Sequence, residues 1–155
     1  PQVLNRLAYQ IGNYYRTIGR VEHARLLFLY CLTSTARHSF VNMRTTSEIL
    51  TVLSGIAASQ GQEDTSRHLL LHAERMLTTL FTINTLIPQL RLTRASLRFD
   101  LACKMRKAND FAATRAVLEG CVQDYEAELG PSANELQVPM SQLAELYASS
   151  EQRGK

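Results

Sequence analysis

Several groups of side chains in this 155-residue chain have types and spacings that bear on chemistry. His68 and His72 lie four residues apart, which puts two imidazoles on one helix face where they would ligate a metal. No Cys or carboxylate stands at a metal-site spacing from them, and H-E-x-x-H is absent, so no metal site is expected and both read as surface or half-buried side chains. Asn13 stands between Arg6 and Arg16. An amide offers a donor and an acceptor to a peptide backbone, and a guanidinium holds a carboxylate through two parallel bonds. Arg91, Arg94 and Arg98 share a helical face at spacings of three and four, and Lys104, Arg106 and Lys107 follow. This is the densest basic run, and its chemistry suits an acidic partner or RNA phosphates. Phe99 alone is near enough to stack a base, which weakens a reading of single-stranded RNA. No nucleophile elbow, phosphate loop or glycine-rich dinucleotide fingerprint occurs. The sequence therefore implies no enzyme and no cofactor.

The elements that must position these residues are helices. Leu4, Leu7, Ala8, Ile11, Tyr14, Tyr15 and Ile18 recur at three and four, which predicts a helix over about 4–17 stopped by Gly19. A second is expected over about 21–36, on the stripe Val21, Ala24, Leu27, Phe28, Cys31 and Leu32, followed by a polar break over 37–45. The third is expected over about 47–59, with Ser47 as N-cap. After Gly61 a fourth begins near Glu63 and passes Leu77. Pro88 suits the start of a fifth, running to about Lys107, because the first turn of a helix has no use for its missing N–H. Asn109 then stands where Gly19 and Gly61 stood. A sixth covers about 110–129 up to Gly130-Pro131, and a seventh about 139–151.

This order repeats with a period of about 42 residues, the third unit arriving about six residues late after Thr78. In register, Gly12, Ser54, Ala102 and Ala144 are small positions on the first helix of each unit. Ala24, Ser66 and Thr114, then Cys31, Ala73 and Cys121, are small positions on the second. Phe28, Leu70 and Leu118 recur between them as large knobs. Small against large lets helical hairpins approach closely.

Composition agrees with a folded, unspecialised domain: 45% hydrophobic, 20% charged, net charge +3. That charge is low for a dedicated nucleic-acid binder. No apolar run nears the roughly 20 residues needed to span a bilayer. Cys31, Cys103 and Cys121 form no C-x-x-C pair, so they read as small core hydrophobes in a reducing, intracellular setting, most simply the cytoplasm. The start at Pro1 rather than Met reads as a fragment and leaves a mitochondrial or other organellar setting open.

Gly12, Tyr15, Gly19, Ala24, Phe28 and Cys31 resemble the tetratricopeptide repeat consensus. The long period, with Leu129-Gly130-Pro131 ahead of Leu143-Ala144-Glu145-Leu146-Tyr147, resembles the kinesin-light-chain type. The resemblance implies an all-α, right-handed α-solenoid of antiparallel helical hairpins, about seven helices. It would form a single array over 1–155, with units near 4–45, 46–87 and 88–135 and a partial one over 136–155. It further implies a non-enzymatic adaptor or scaffold that holds a peptide or partner helix along a concave groove. Mapped onto this chain, the groove residues are Arg6, Tyr9, Asn13, Arg16, Thr51, Phe99 and Arg106. The carboxylate clamp of some members is not expected, because Val52, Ser96 and Asp100 occupy the places of its further basic and Asn residues. The alternative is a subunit of a large protein or ribonucleoprotein assembly, contacting its neighbours through the basic face of Arg91, Arg94, Arg98 and Lys107. Leu143, Leu146 and Tyr147 are expected to be an open apolar end, covered by further repeats or a partner.

Overall fold

The computed structural model describes residues 2–35, 43–83 and 88–153, and throughout these the chain is helical with short turns. The helices are α1 (Gln2–Thr17), α2 (Val21–Thr35), α3 (Met43–Ser59), α4 (Glu63–Ile83), α5 (Pro88–Lys107), α6 (Phe111–Leu129) and α7 (Gln137–Arg153), with a 3-10 turn over Asn134–Leu136. They fall into two compact units, residues 1–80 and 81–155. The expected break after α2 lies largely at 36–42, and part of the extra length of the third unit at 84–87, outside the described residues.

One turn recurs three times. Gly19, Gly61 and Asn109 have φ of 76°, 75° and 60°, the left-handed region that glycine and asparagine enter at least cost. In each case the next N–H reaches back to the carbonyl five residues earlier. Arg20 donates to Tyr15 at 2.8 Å, Gln62 to Ala57 at 2.9 Å and Asp110 to Met105 at 3.0 Å. These bonds satisfy carbonyls that the helix end leaves without partners. The Asp110 carboxylate also caps α6 by accepting from the Ala113 N–H at 3.1 Å.

In the first unit, Phe28 is fully buried and packs beside Ala8, Ala24, Cys31, Ile49, Leu53 and Ile56. Gly12 admits its ring: a Cβ built there would lie 3.1 Å from Phe28. The α3–α4 hairpin closes through Ser54 and Ser66, whose hydroxyls are 2.7 Å apart and both buried. In the second unit, Ala102 and Leu118 are fully buried in one cluster with Leu143 and Leu146.

Three expectations are corrected. Ser47 is not an N-cap: α3 begins four residues earlier, and Ser47 is buried in it, donating to the Arg44 carbonyl at 2.7 Å. Leu143 and Leu146 do not form an open end, because both pack on Ala102 and Leu118. Tyr147 is 44% exposed and donates to the Glu119 carboxylate. Ala144, the fourth of the small positions, is exposed.

The two helical glycines Gly12 and Gly55 should respond oppositely to a side chain. Gly12→Leu must displace Phe28 and is expected to cost about 1–3 kcal/mol. Gly55 has nothing within 4 Å of its added Cβ. Gly55→Ala should therefore stabilise by about 0.5–1 kcal/mol through helix propensity alone. Urea denaturation followed by circular dichroism reads both.

Candidate functional site

The antiparallel register of α5 and α6 brings residues 91, 94 and 98 level with 128, 124 and 120. Arg94 donates to both carboxylate oxygens of Asp124, at 2.8 and 2.6 Å, and both residues are buried. Arg98 donates to the same carboxylate at 2.9 Å and to the Gly120 carbonyl at 3.2 Å. Gly120 makes room for it, since a Cβ there would meet the Arg98 guanidinium at 2.9 Å. Arg91 pairs with Glu128 at 3.0 Å. The guanidinium carbons of Arg91 and Arg94 stand 4.9 and 4.4 Å from the Phe81 ring centroid, within cation–π range.

The basic face expected to meet a partner is thus turned inward on α6. Arg91, Arg94 and Arg98 form an intramolecular ladder with Asp124 and Glu128. Of that proposed face, Lys107 is the exposed member. The sequence carries only a partial signal for the ladder. Gly120, Asp124 and Glu128 repeat at four on α6, so the acidic partners and the gap between them share one helix face.

The expected groove residues divide. On α1, Arg6 and Arg16 are exposed and make no ion pair among the described residues, and Asn13 is half-buried on the same helix. Tyr9 faces the core instead, its ring 5.8 Å from that of Phe28 in an edge-on arrangement. Thr51 is half-buried on α3, and its hydroxyl donates to the Ser47 carbonyl at 2.9 Å. In the second unit, Phe99 packs against the Ala102–Leu118 cluster. Arg106 reaches across to Glu145 at 2.7 Å.

Cys31 and Cys121 are buried free thiols, while Cys103 is half-buried. Burial pushes the Cys31 thiol up. Burial, and then the negative charge of Asp124, push Cys121 up to about 12 from 9.0. His68 and His72 are both exposed. Among the described residues no three His, Cys, Asp or Glu side chains gather where they could hold a metal ion. No described helix is long and apolar enough to cross a membrane.

Comparison with solved structures shows the class of fold. A protein of Podosopora anserina assigned as a kinesin light chain, made of nearly identical TPR-like repeats, superposes with a TM-score of 0.67 at 17% identity. The alignment covers 95% of this chain and 67% of that one. BtubC (BKLC) of P. vanneervenii superposes with a TM-score of 0.72 at 15% identity, over 95% of this chain and 57% of that one. The chain thus spans 57% to 67% of the length of these similar structures. No family model matches the sequence, and no curated protein matches it. The fold is therefore that of an all-α, TPR-like repeat solenoid.

Removing one member of the ladder should be far worse than removing the pair. Asp124→Leu strands two guanidinium groups in the α5–α6 contact and is expected to cost about 3–5 kcal/mol, whereas Arg94→Leu with Asp124→Leu should recover much of that loss. Chemical denaturation of the single and double variants measures the coupling.

The thiols give a pH prediction. A group whose pKa is raised by folding keeps its proton longer in the native state, so the contribution of Cys121 to stability is intact below pH 9 and is lost between 9 and about 12 as the thiol is deprotonated in the unfolded chain first. Cys121→Ala should flatten that fall in a pH series of melting curves. In the folded protein at pH 8, Cys103 should react with a disulfide reagent ahead of the other two.

Proposed function

We propose that this chain is a non-enzymatic protein-interaction module whose α1 polar face grips a peptide or helical segment of a partner. The observation that carries this reading is the contrast between α1 and α5. The arginines of α5 at 91, 94, 98 and 106 are all committed to carboxylates of the chain itself. Arg6 and Arg16 on α1 are exposed and have no ion-pair partner among the described residues, with Asn13 between them. A rigid helix holding two free guanidinium groups around an amide suits an acidic side chain beside a peptide backbone. The TPR-like fold supports the same reading, since stacked hairpins offer surfaces for protein contact.

The reading as an assembly subunit working through the basic face of α5 loses its main support, because that face is spent on α6. RNA contact there would rest on Lys107 and its neighbours at the end of α5.

Affinity capture with the 155-residue chain tests the proposal. Asn13→Ala with Arg16→Ala should lose captured proteins while keeping the helical signal. Lys107→Ala should leave capture unchanged. Loss with Lys107→Ala alone would return the site to α5.

A further inference from the structure

The outer face of α4 carries a pair of imidazoles. Ser66, Leu70, Ala73 and Leu77 are buried and pin the opposite face of the helix. His68 and His72 each follow a member of that stripe by two positions, about 200° around the axis, and both are exposed. Four residues apart, they stand one above the other with Cβ atoms about 5–6 Å apart. Neither ring has a hydrogen bond or ion pair among the described residues. The acids nearest in sequence are otherwise engaged: Asp64 pairs with Arg67 at 3.0 Å, and Glu74 accepts from the Thr78 hydroxyl at 2.9 Å. His23 differs, since its ring lies 5.4 Å from that of Tyr15.

We propose that His68 and His72 chelate a divalent transition metal ion of the zinc or copper type. At this spacing both rings can turn a nitrogen to one ion at about 2.0–2.1 Å while the helix backbone stays in place. Imidazole suits these ions, whereas Mg²⁺ and Ca²⁺ take oxygen donors. The helix supplies what two separate histidines lack: once one nitrogen binds, the second is already beside the ion. Among the described residues no third His, Cys, Asp or Glu joins the pair. Water therefore holds the remaining positions, and the ion exchanges with solvent, unlike one in a closed structural site of four protein ligands. The site lies on α4 and is independent of the α1 contact proposed above.

Isothermal titration calorimetry of the 155-residue chain with ZnCl₂ should show saturable binding of one ion per chain. CuCl₂ should bind more tightly, and MgCl₂ should give no binding heat. His68→Asn and His72→Asn should each weaken Zn²⁺ binding at least about tenfold with unchanged circular dichroism. His23→Asn and Cys103→Ser should leave it unchanged. Two variants made in the His72→Asn background test the spacing itself. Asp64→His rebuilds a pair four residues apart, one turn earlier, and should restore binding. Thr79→His places the second ring roughly 16 Å along the helix from His68 and should not. Saturating Zn²⁺ should also raise the melting temperature of the chain but not that of His72→Asn, because the unfolded chain does not hold the two rings together. No saturable Zn²⁺ binding, binding indifferent to either His→Asn change, or equal restoration by Thr79→His would overturn the proposal.

Discussion

Each hairpin depends on the close approach of its two helices at a small residue. Gly12 lets the Phe28 ring approach to where even a Cβ would lie at only 3.1 Å. Ser54 meets Ser66 hydroxyl to hydroxyl. Ala102 lies in one dry cluster with Leu118. Close approach brings many weak dispersion contacts within range and excludes water from the seam. It also fixes the antiparallel register, and the placement of every polar side chain follows from that register. A slip of one residue between α5 and α6 would carry Asp124 away from Arg94.

The arginine ladder shows how register converts a surface motif into an internal one. Guanidinium groups are planar and always charged, so Arg94 and Arg98 can share the Asp124 carboxylate in a buried seam while Arg94, with Arg91, also lies over the Phe81 ring. Gly120 is part of the same device, because the Arg98 side chain occupies the space a Cβ would need. The ladder ties α5 to α6, and its energetic value lies in the cost of breaking one partner. By contrast, among the described residues Arg6 and Arg16 of α1 are exposed and in no ion pair. The contrast between the two helices therefore arises from packing: α5 is the more basic of the two in sequence, yet its arginines are the ones paired within the chain.

Apolar exposure is also set by packing. The last helix presents Leu143 and Leu146 inward, onto the α5–α6 cluster. The first helix keeps Ala8 and Gly12 inward and leaves Leu4, Leu7, Ile11, Tyr14 and Ile18 outside. Its apolar residues cover too wide an arc for one hairpin partner to bury. A helix with that much apolar surface has two packing faces, and the chain fills one of them.

The sequence by itself determined the helices, their turns and the repeat. Those depend on local rules: apolar spacing, a left-handed residue after each first helix, and a small residue at each crossing. The turn at Asn109 could be read as readily as those at Gly19 and Gly61, because αL geometry excludes most other side chains. The start of α3 is not legible at Ser47, since a serine serves equally well as a cap or as a small buried hydroxyl. Tertiary structure alone decided what Arg91, Arg94 and Arg98 do, that Tyr9 belongs to the core, and which apolar residues of each helix stay in water. A run of arginines at three and four is written identically whether it faces solvent or a carboxylate on the next helix. The distinction lies in residues about 30 positions away, and only the packed register brings them together.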